Sequence, residues 1–305
     1  MIIINSVFPV FILIILGIIL KRINFTTDKF LSVSDKLVYY ILWPAMLFWK
    51  IGGQSISNGT DLSIAYVAVS TVMVMFILST LFIVFYKVKK FDCGTFSQSC
   101  YRFNTYIGIA VILNSLGEEG LIPLGIIITF VIPIVNFFSV SILIWFSNEN
   151  ISIKTQIKIT ILSIIKNPLI LACSSGLLFS LLGLKFPVFL NNSFSLISSA
   201  ALPLALISIG GSFNLGKSSD YLSLSIFSSV FKLVIFPIVG FFFLSLFNVT
   251  GLSFKVGMIF FALPTSTAIY SLSSQLNSNT NLASSAIVIS TTLSLLSLSV
   301  IFIII

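Results

Sequence analysis

The sequence predicts an all-α integral membrane protein with about ten transmembrane helices. Of its 305 residues, 57% are hydrophobic and only 8% are charged, and the mean hydropathy is +1.16. Soluble domains carry roughly a quarter charged residues, so a water-soluble fold could not hide this much apolar surface. A helix needs about 20 apolar residues to cross a bilayer, and the chain has room for about ten such stretches with short connections.

The apolar stretches are long and lack the two-residue alternation of membrane strands, which favours helices over strands. The predicted spans are residues 3–20, 34–52, 63–86, 97–116, 121–146, 167–183, 188–210, 222–246, 255–274 and 283–305. We expect the first span to be a retained helix rather than a secretion signal. No basic residue precedes it, and Lys21 and Arg22 follow it.

A polar interval separates the fifth predicted span from the sixth. Residues 147–166 contain three lysines, one glutamate and two asparagines among isoleucines. This pattern predicts a cytoplasmic linker with a short amphipathic helix on the membrane surface. The linker divides the chain into a first five-helix repeat, residues 1–146, and a second, residues 167–305.

The distribution of basic residues predicts the orientation, because Lys and Arg near span ends stay in the cytoplasm. Alternate connections carry eleven basic residues on one side and three on the other. We therefore expect a multi-pass protein of the cytoplasmic (inner) cell membrane with both termini outside. Most of the net charge of +8 then faces anionic lipid, so it indicates no nucleic-acid partner.

Proline and glycine positions recur in the two halves at nearly constant spacing. Pro9 and Pro168, Gly17 and Gly176, and Pro44 and Pro203 are 159 residues apart, and Ile51-Gly52-Gly53 recurs as Ile209-Gly210-Gly211 at 158. Each half holds five spans, an odd number, so the second repeat must be inverted relative to the first. Inverted repeats are a common architecture of secondary transporters.

The fourth and ninth predicted spans are interrupted by polar residues. The fourth contains Arg102, Asn104 and Thr105, and the ninth contains the turn Pro264-Thr265-Ser266-Thr267. Proline has no backbone N–H to donate and disrupts the preceding helical turn. Interrupted polar spans at corresponding places in two repeats indicate a transport site. We therefore predict that both helices are discontinuous.

A helix broken within the membrane exposes N–H groups at the start of its second half, and these carry partial positive charge. Such an end attracts an anion, and a carboxylate fits two facing ends with neutral hydrogen-bonding groups around them. The predicted substrate-binding residues are Asn104, Thr105, Tyr106, Gly108, Pro264, Thr265, Ser266 and Thr267, with Arg102, Pro44 and Pro203 as further candidates.

Structural alternatives exist for several of these residues. Asn104 could join helices by hydrogen bonds, as buried amides do in membranes. Arg102 could extend to the lipid headgroups, and Lys232 has the same alternative and is left outside the predicted site. Pro44 and Pro203 could be kinks that membrane helices tolerate.

The ionisable residues disfavour other kinds of chemistry. All eight Asp and Glu residues lie at predicted span ends or in connections, which disfavours proton transfer through a buried carboxylate but leaves sodium open. The chain has no histidine, and Cys93, Cys100 and Cys173 lack the spacing of metal ligands. We predict no metal and no cofactor. An intramembrane enzyme would need histidine or paired aspartates in the membrane, so we also predict no enzymatic activity.

The polar segments and their surroundings resemble the auxin efflux carrier family, which includes plant PIN carriers and bacterial malate or malonate transporters. The matching features cover nearly the whole chain: Arg102-x-Asn104 with the Gly108 segment, Asn167-Pro168, Pro203-Leu204 with Ile209-Gly210-Gly211, Lys232 with Pro237, and Leu263-Pro264-Thr265. The resemblance implies ten helices in two inverted repeats. It also implies that the fourth and ninth helices cross at a substrate site between a scaffold and a transport domain.

One residue departs from the family pattern. Ala110 stands where the family usually has a proline two residues after the Gly108 position. The break in the fourth helix is therefore expected to be milder, or to rest on Gly108 and Asn104.

The predicted function is secondary transport of a small mono- or dicarboxylate by alternating access. Two alternatives stay open, a sodium-coupled carrier like the bile-acid sodium symporters and a passive channel. The first would need a sodium site with acidic members, which the spans lack. The expected partners are the small organic anion and membrane lipid, and a homodimer is left open.

The orientation yields a testable prediction. A single cysteine placed at Asn150 should not react with a membrane-impermeant thiol reagent in intact cells, because the linker is predicted to face the cytoplasm. A single cysteine at Asn58, in a predicted outside connection, is the control and should react. Labelling of Asn150→Cys in intact cells would remove the main topological support for the inverted repeat.

Overall fold

A computed structural model describes residues 7–53, 62–146, 165–211 and 221–305, together with Lys158, Ile161 and Leu162. These residues are mostly helical, and no strand occurs among them. The helices of the first half are α1 (Phe8–Arg22), α2 (Asp28–Leu37), α3 (Trp43–Gly52), α4 (Ser63–Phe85), α5 (Lys90–Tyr101), α6 (Thr105–Leu116) and α7 (Leu121–Phe146). Those of the second half are α8 (Pro168–Leu181), α9 (Val188–Gly211), α10 (Leu222–Val230), α11 (Phe236–Leu246), α12 (Gly251–Phe261), α13 (Ala268–Gln275) and α14 (Thr280–Ile304).

Among the described residues, five helical segments are long and apolar enough to cross a membrane: Ser63–Phe85, Glu118–Phe146, Val188–Gly211, Leu222–Leu246 and Thr280–Ile304. They coincide with five of the predicted spans. The other predicted spans correspond to shorter or interrupted helices, so the count of ten and the inverted repeat stay predictions. Most of the predicted linker, residues 147–166, lies outside the described residues.

The chain packs as two compact units, and each unit draws on both halves of the sequence. The first unit contains α1 to α3, most of α6, the beginning of α7, α8 and α9. The second unit contains α4, α5, the rest of α7, and α10 to α14. This division by packing differs from the predicted division by sequence repeat, which stays a prediction.

Glycines bring α1 and α9 of the first unit into backbone contact. A Cβ atom on Gly17 would lie 2.1 Å from the carbonyl oxygen of Ile207, and one on Gly210 would lie 1.9 Å from that of Ile14. No side chain fits at such distances. Small residues at helix interfaces allow this close approach, which drives helix association in membranes.

A second glycine contact in the same unit joins α3 to α8. A Cβ atom on Gly176 would lie 3.1 Å from the carbonyl oxygen of Phe48, and one on Gly52 would lie 3.5 Å from that of Gly176. In the predicted repeat, Gly176 is the equivalent of Gly17, and Gly52 is the equivalent of Gly210. The predicted glycine equivalents therefore lie at two corresponding helix crossings.

Hydroxyl and amide groups connect α5 to α13 and the start of α14 within the second unit. Thr95 Oγ1 lies 2.8 Å from Ser273 Oγ and 2.9 Å from Ser278 Oγ, and Gln98 Nε2 donates to Ser273 Oγ at 2.9 Å. Asn279 Nδ2 donates to Asp92 Oδ1 at 2.7 Å. All residues of α5 from Asp92 to Tyr101 are buried. The polar side chains of α5 are therefore enclosed by protein.

In the part of the chain that the structure describes, two π-helical turns of five residues each interrupt α-helical segments. Val38–Leu42 joins α2 to α3, and Phe231–Ile235 joins α10 to α11. An aromatic residue and a proline follow each turn, Trp43-Pro44 in the first unit and Phe236-Pro237 in the second. Proline cannot donate a backbone hydrogen bond, and its ring crowds the preceding helical turn. A π-helical turn, which is wider than an α-helical turn, accommodates this crowding.

Candidate functional site

The fourth and ninth predicted spans are both interrupted. Helix α5 ends at Tyr101 and α6 begins at Thr105, with Arg102 to Asn104 between them in non-helical conformation. Helix α12 ends at Phe261 and α13 begins at Ala268, with six non-helical residues between them. The predicted discontinuity of both helices is therefore present. The break in the fourth span lies before Gly108, which is buried within α6, so it does not rest on Gly108 and needs no proline at Ala110.

A backbone hydrogen bond joins the two breaks directly. The N–H of Asn104 donates to the carbonyl oxygen of Pro264 at 2.9 Å. Beside it, Phe103 packs edge-on against Phe260, with ring centroids 4.4 Å apart. We call this place, where residues 102–104 meet residues 262–267, the crossing. It lies entirely within the second unit.

Thr265 stabilises the crossing with both of its hydrogen-bond donors, the side-chain hydroxyl and the backbone N–H. Its hydroxyl donates to the carbonyl oxygen of Ser99 at 2.7 Å, and its N–H donates to Ser290 Oγ at 3.2 Å. The Ser99 carbonyl belongs to the last turn of α5, where carbonyl groups have no helical partner. With its donors used in this way, Thr265 can offer an anion no hydrogen, and its side chain holds the two breaks together.

The next two residues present unused backbone donors. The N–H groups of Ser266 and Thr267 donate to no protein acceptor among the residues that the structure describes. The Ser266 hydroxyl accepts from the N–H of Ala268 at 3.3 Å and so caps the start of α13. Two successive N–H groups at a helix start form an anion-binding arrangement.

The other predicted site residues, which are Tyr106, Gly108, Pro44 and Pro203, belong to the first unit. Tyr106 stacks on Trp43, with ring centroids 5.6 Å apart and an interplanar angle of 14°. Pro44 is the second residue of α3, and Pro203 lies inside α9. The structure therefore groups Arg102, Asn104, Thr105 and residues 264–267 in one unit, and Tyr106, Gly108, Pro44 and Pro203 in the other.

Lys232 is a residue that sequence reasoning left outside the site. Its side chain is fully buried, and Nζ donates to the carbonyl oxygen of Phe261 at 3.1 Å. It also lies 4.2 Å from the ring centroid of Phe236. The alternative that Lys232 extends to the headgroups is wrong, because the ammonium group is enclosed by protein at the end of α12. Its position well inside an apolar span was the signal that could have found it.

The arrangement defines a class: a multi-pass helical membrane protein in which two interrupted helices are hydrogen-bonded at their breaks. Comparison with known families identifies the class further. Residues 152–302 match the family model described as membrane transport protein, which is that of the auxin efflux carrier family. The resemblance found in the sequence is thereby confirmed over these residues, and the family is one of transporters, which are generally not enzymes. No curated protein matches the chain.

The geometry of the crossing predicts the behaviour of two variants. Asn104→Ala should keep the backbone bond to Pro264 and hence the fold, but it should remove the side-chain bond that we predict Asn104 makes to a bound anion. That bond is worth about 1.5 to 3 kcal/mol, or roughly ten- to hundredfold in affinity. Pro264→Ala restores an N–H and lets the ninth helix close across its break, which removes the free donors. It should be at least as stable as the wild type yet bind poorly.

The measurement is anion binding and thermal stability for both variants, normalised to protein inserted in the membrane. Phe242→Ala, which removes an exposed side chain on α11 of the same unit, is the control. Wild-type affinity in both Asn104→Ala and Pro264→Ala would show that the crossing is structural only.

Proposed function

We propose that the protein is a secondary transporter that moves a small organic anion, a mono- or dicarboxylate, across the cytoplasmic membrane by alternating access. The observation that carries this proposal is the unused pair of N–H groups at Ser266 and Thr267, next to the Asn104–Pro264 bond. The match to a family of membrane transport proteins supports the same conclusion.

The chemistry of the crossing favours a carboxylate. Backbone N–H groups at a half-helix start carry partial positive charge, and in a low-dielectric surrounding they interact strongly with an anion. The neighbouring Asn104 side chain and the Ser266 and Thr267 hydroxyls can add neutral hydrogen bonds. Unwound segments of this kind near the membrane midplane are where secondary transporters bind substrate.

We further propose the ten-span architecture with two inverted five-helix repeats and both termini outside. Two kinds of observation support it. The glycine contacts of α1 with α9 and of α8 with α3 correspond under the predicted repeat. The interrupted helices also fall at the fourth and ninth predicted positions, which are equivalent in the two halves.

Alternating access needs one part of the protein to carry the substrate site. The crossing lies wholly in the second unit, whose helices α5, α13 and α14 are tied together by side-chain hydrogen bonds. We therefore assign the second unit the role of the transport domain that the family resemblance implies. It would expose the crossing first to one side of the membrane and then to the other.

The proposal is tested by screening purified protein for thermal stabilisation by acetate, malonate, malate, succinate and benzoate. A ligand that binds only the folded state stabilises it by about 2.7 kcal/mol at one hundred times its dissociation constant. We expect at least one of these carboxylates to raise the unfolding temperature, with glycerol as the neutral control. Stabilisation by none of them would contradict a carboxylate site.

The same carboxylate then separates a carrier from a channel. In proteoliposomes preloaded with unlabelled compound, a carrier transiently accumulates labelled compound above its external concentration. A channel lets the label equilibrate without this overshoot, and that result would reject alternating access.

A further inference from the structure

Lys232 lies near the middle of an apolar span. The span runs from Leu222 to Leu246, and Lys232 is ten residues from its start. At 1.5 Å per residue this places it about 15 Å along a segment that crosses a hydrocarbon core of about 30 Å. Ionisable residues at this depth are costly and as a rule serve substrate or ion pathways.

The ammonium group of Lys232 has two partners on the protein, the carbonyl oxygen of Phe261 at 3.1 Å and the ring of Phe236 at 4.2 Å. Neither partner is negatively charged. The ion pairs among the described residues are Lys21 with Asp28 and Lys50 with Glu118, so no acidic residue balances this charge. An ammonium group carries three N–H donors, and these two partners leave at least one of them unused.

Local structure holds the ammonium group in place. Lys232 is the second residue of the π-helical turn Phe231–Ile235. The turn is fixed by Ser297 of α14, whose hydroxyl donates to the carbonyl oxygen of Leu233 at 3.2 Å. In the other π-helical turn, Val38–Leu42, the corresponding second residue is Tyr39. Of these two described turns, the second therefore presents a lysine where the first presents a tyrosine.

The carbonyl group that Lys232 contacts belongs to the end of α12, directly before the crossing. Half-helix C-termini carry partial negative charge, and in secondary transporters they coordinate coupling cations. Here the ammonium group of a lysine side chain, that of Lys232, contacts the C-terminal end of α12. Pro264 is the third residue after Phe261, and this length of chain spans at most about 11 Å. The ammonium group thus lies near the bond that joins the two breaks.

We propose that Lys232 is a substrate-binding residue that supplies the counter-charge for the carboxylate at the crossing. Its ammonium group takes the place of a coupling cation at the end of α12, so anion binding needs no added sodium. The unused donor of the ammonium group and the N–H groups of Ser266 and Thr267 bind the same carboxylate. This inference rests on the proposed function, because it assigns the charge selectivity of that same site.

The test compares carboxylates with their neutral amides. Wild type, Lys232→Gln and Lys232→Met are titrated with acetate and acetamide, malonate and malonamide, and succinate and succinamide, and affinities are taken from thermal stabilisation. Glutamine keeps a donor for the Phe261 carbonyl group without the charge, and methionine removes both. Lys255→Gln, which neutralises an exposed lysine on α12, is the matched control for net charge.

We expect the wild type to prefer a carboxylate over its amide. Lys232→Gln should lose about ten- to hundredfold in carboxylate affinity and leave amide binding unchanged, since only charge is removed. Lys232→Met should fold, because an apolar isostere replaces a buried charge at little cost. Lys255→Gln should behave as the wild type, and wild-type affinities should be equal in sodium and potassium buffers.

Several results would overturn the inference. A wild-type preference retained in Lys232→Gln would show that the charge does not act on the ligand. A failure of both Lys232 variants to fold would show that the ammonium group serves the fold instead. If the wild type required sodium for anion binding, the Lys232 ammonium group would not take the place of a coupling cation. If no carboxylate bound the wild type, the proposed function itself would fall, and that outcome is distinct from the other three.

Discussion

The hydrogen bond from the Asn104 N–H to the Pro264 carbonyl oxygen is the interaction on which the candidate site depends. A helix interrupted inside a membrane leaves backbone groups that no solvent can satisfy, and each costs several kcal/mol. Pairing one break with the other satisfies part of this need at both breaks. The Thr265 hydroxyl satisfies a further carbonyl group, at Ser99. The N–H groups of Ser266 and Thr267 have no protein acceptor among the described residues, and they are then available to a ligand.

The polar character of the fourth span follows from the same constraint. The ends of two interrupted helices must be held at a defined spacing. Polar side chains on the neighbouring helices can hold them there by hydrogen bonds, in addition to apolar packing. Thr95 and Gln98 of α5 supply this by bonding to Ser273 of α13, and Asp92 adds a bond to Asn279 at the start of α14. These short side chains bond within a buried interface, so an unusually polar helix can lie in a membrane protein without facing lipid. Lys232 adds an amino group beside the crossing that can carry a full positive charge, in addition to the guanidinium group of Arg102 within the crossing.

Much of this could be predicted from the sequence, and the limits have physical causes. Five long spans followed from apolar length alone, and the breaks followed from proline and from polar residues within apolar surroundings. The exact place of the first break did not, since Gly108 offers flexibility without forcing an interruption, whereas Asn104 is held by a residue 160 positions away. The sequence predicted Thr265 as a neutral hydrogen-bonding group for the substrate, because it lies beside a helix break. Only the structure shows that both of its donors bond within the protein. Sequence reasoning set Lys232 aside because a long side chain can reach the headgroups, and only packing shows that this one is enclosed.

The central claim is that an anion binds the free N–H groups at a crossing of two interrupted helices. A structure of the wild-type protein bound to its stabilising carboxylate tests this most directly. We predict carboxylate oxygen atoms within about 3 Å of the Ser266 and Thr267 nitrogen atoms. We also predict that the bond from Asn104 to Pro264 is present in that structure. A carboxylate bound elsewhere, or a ninth helix that runs unbroken through Pro264, would contradict it.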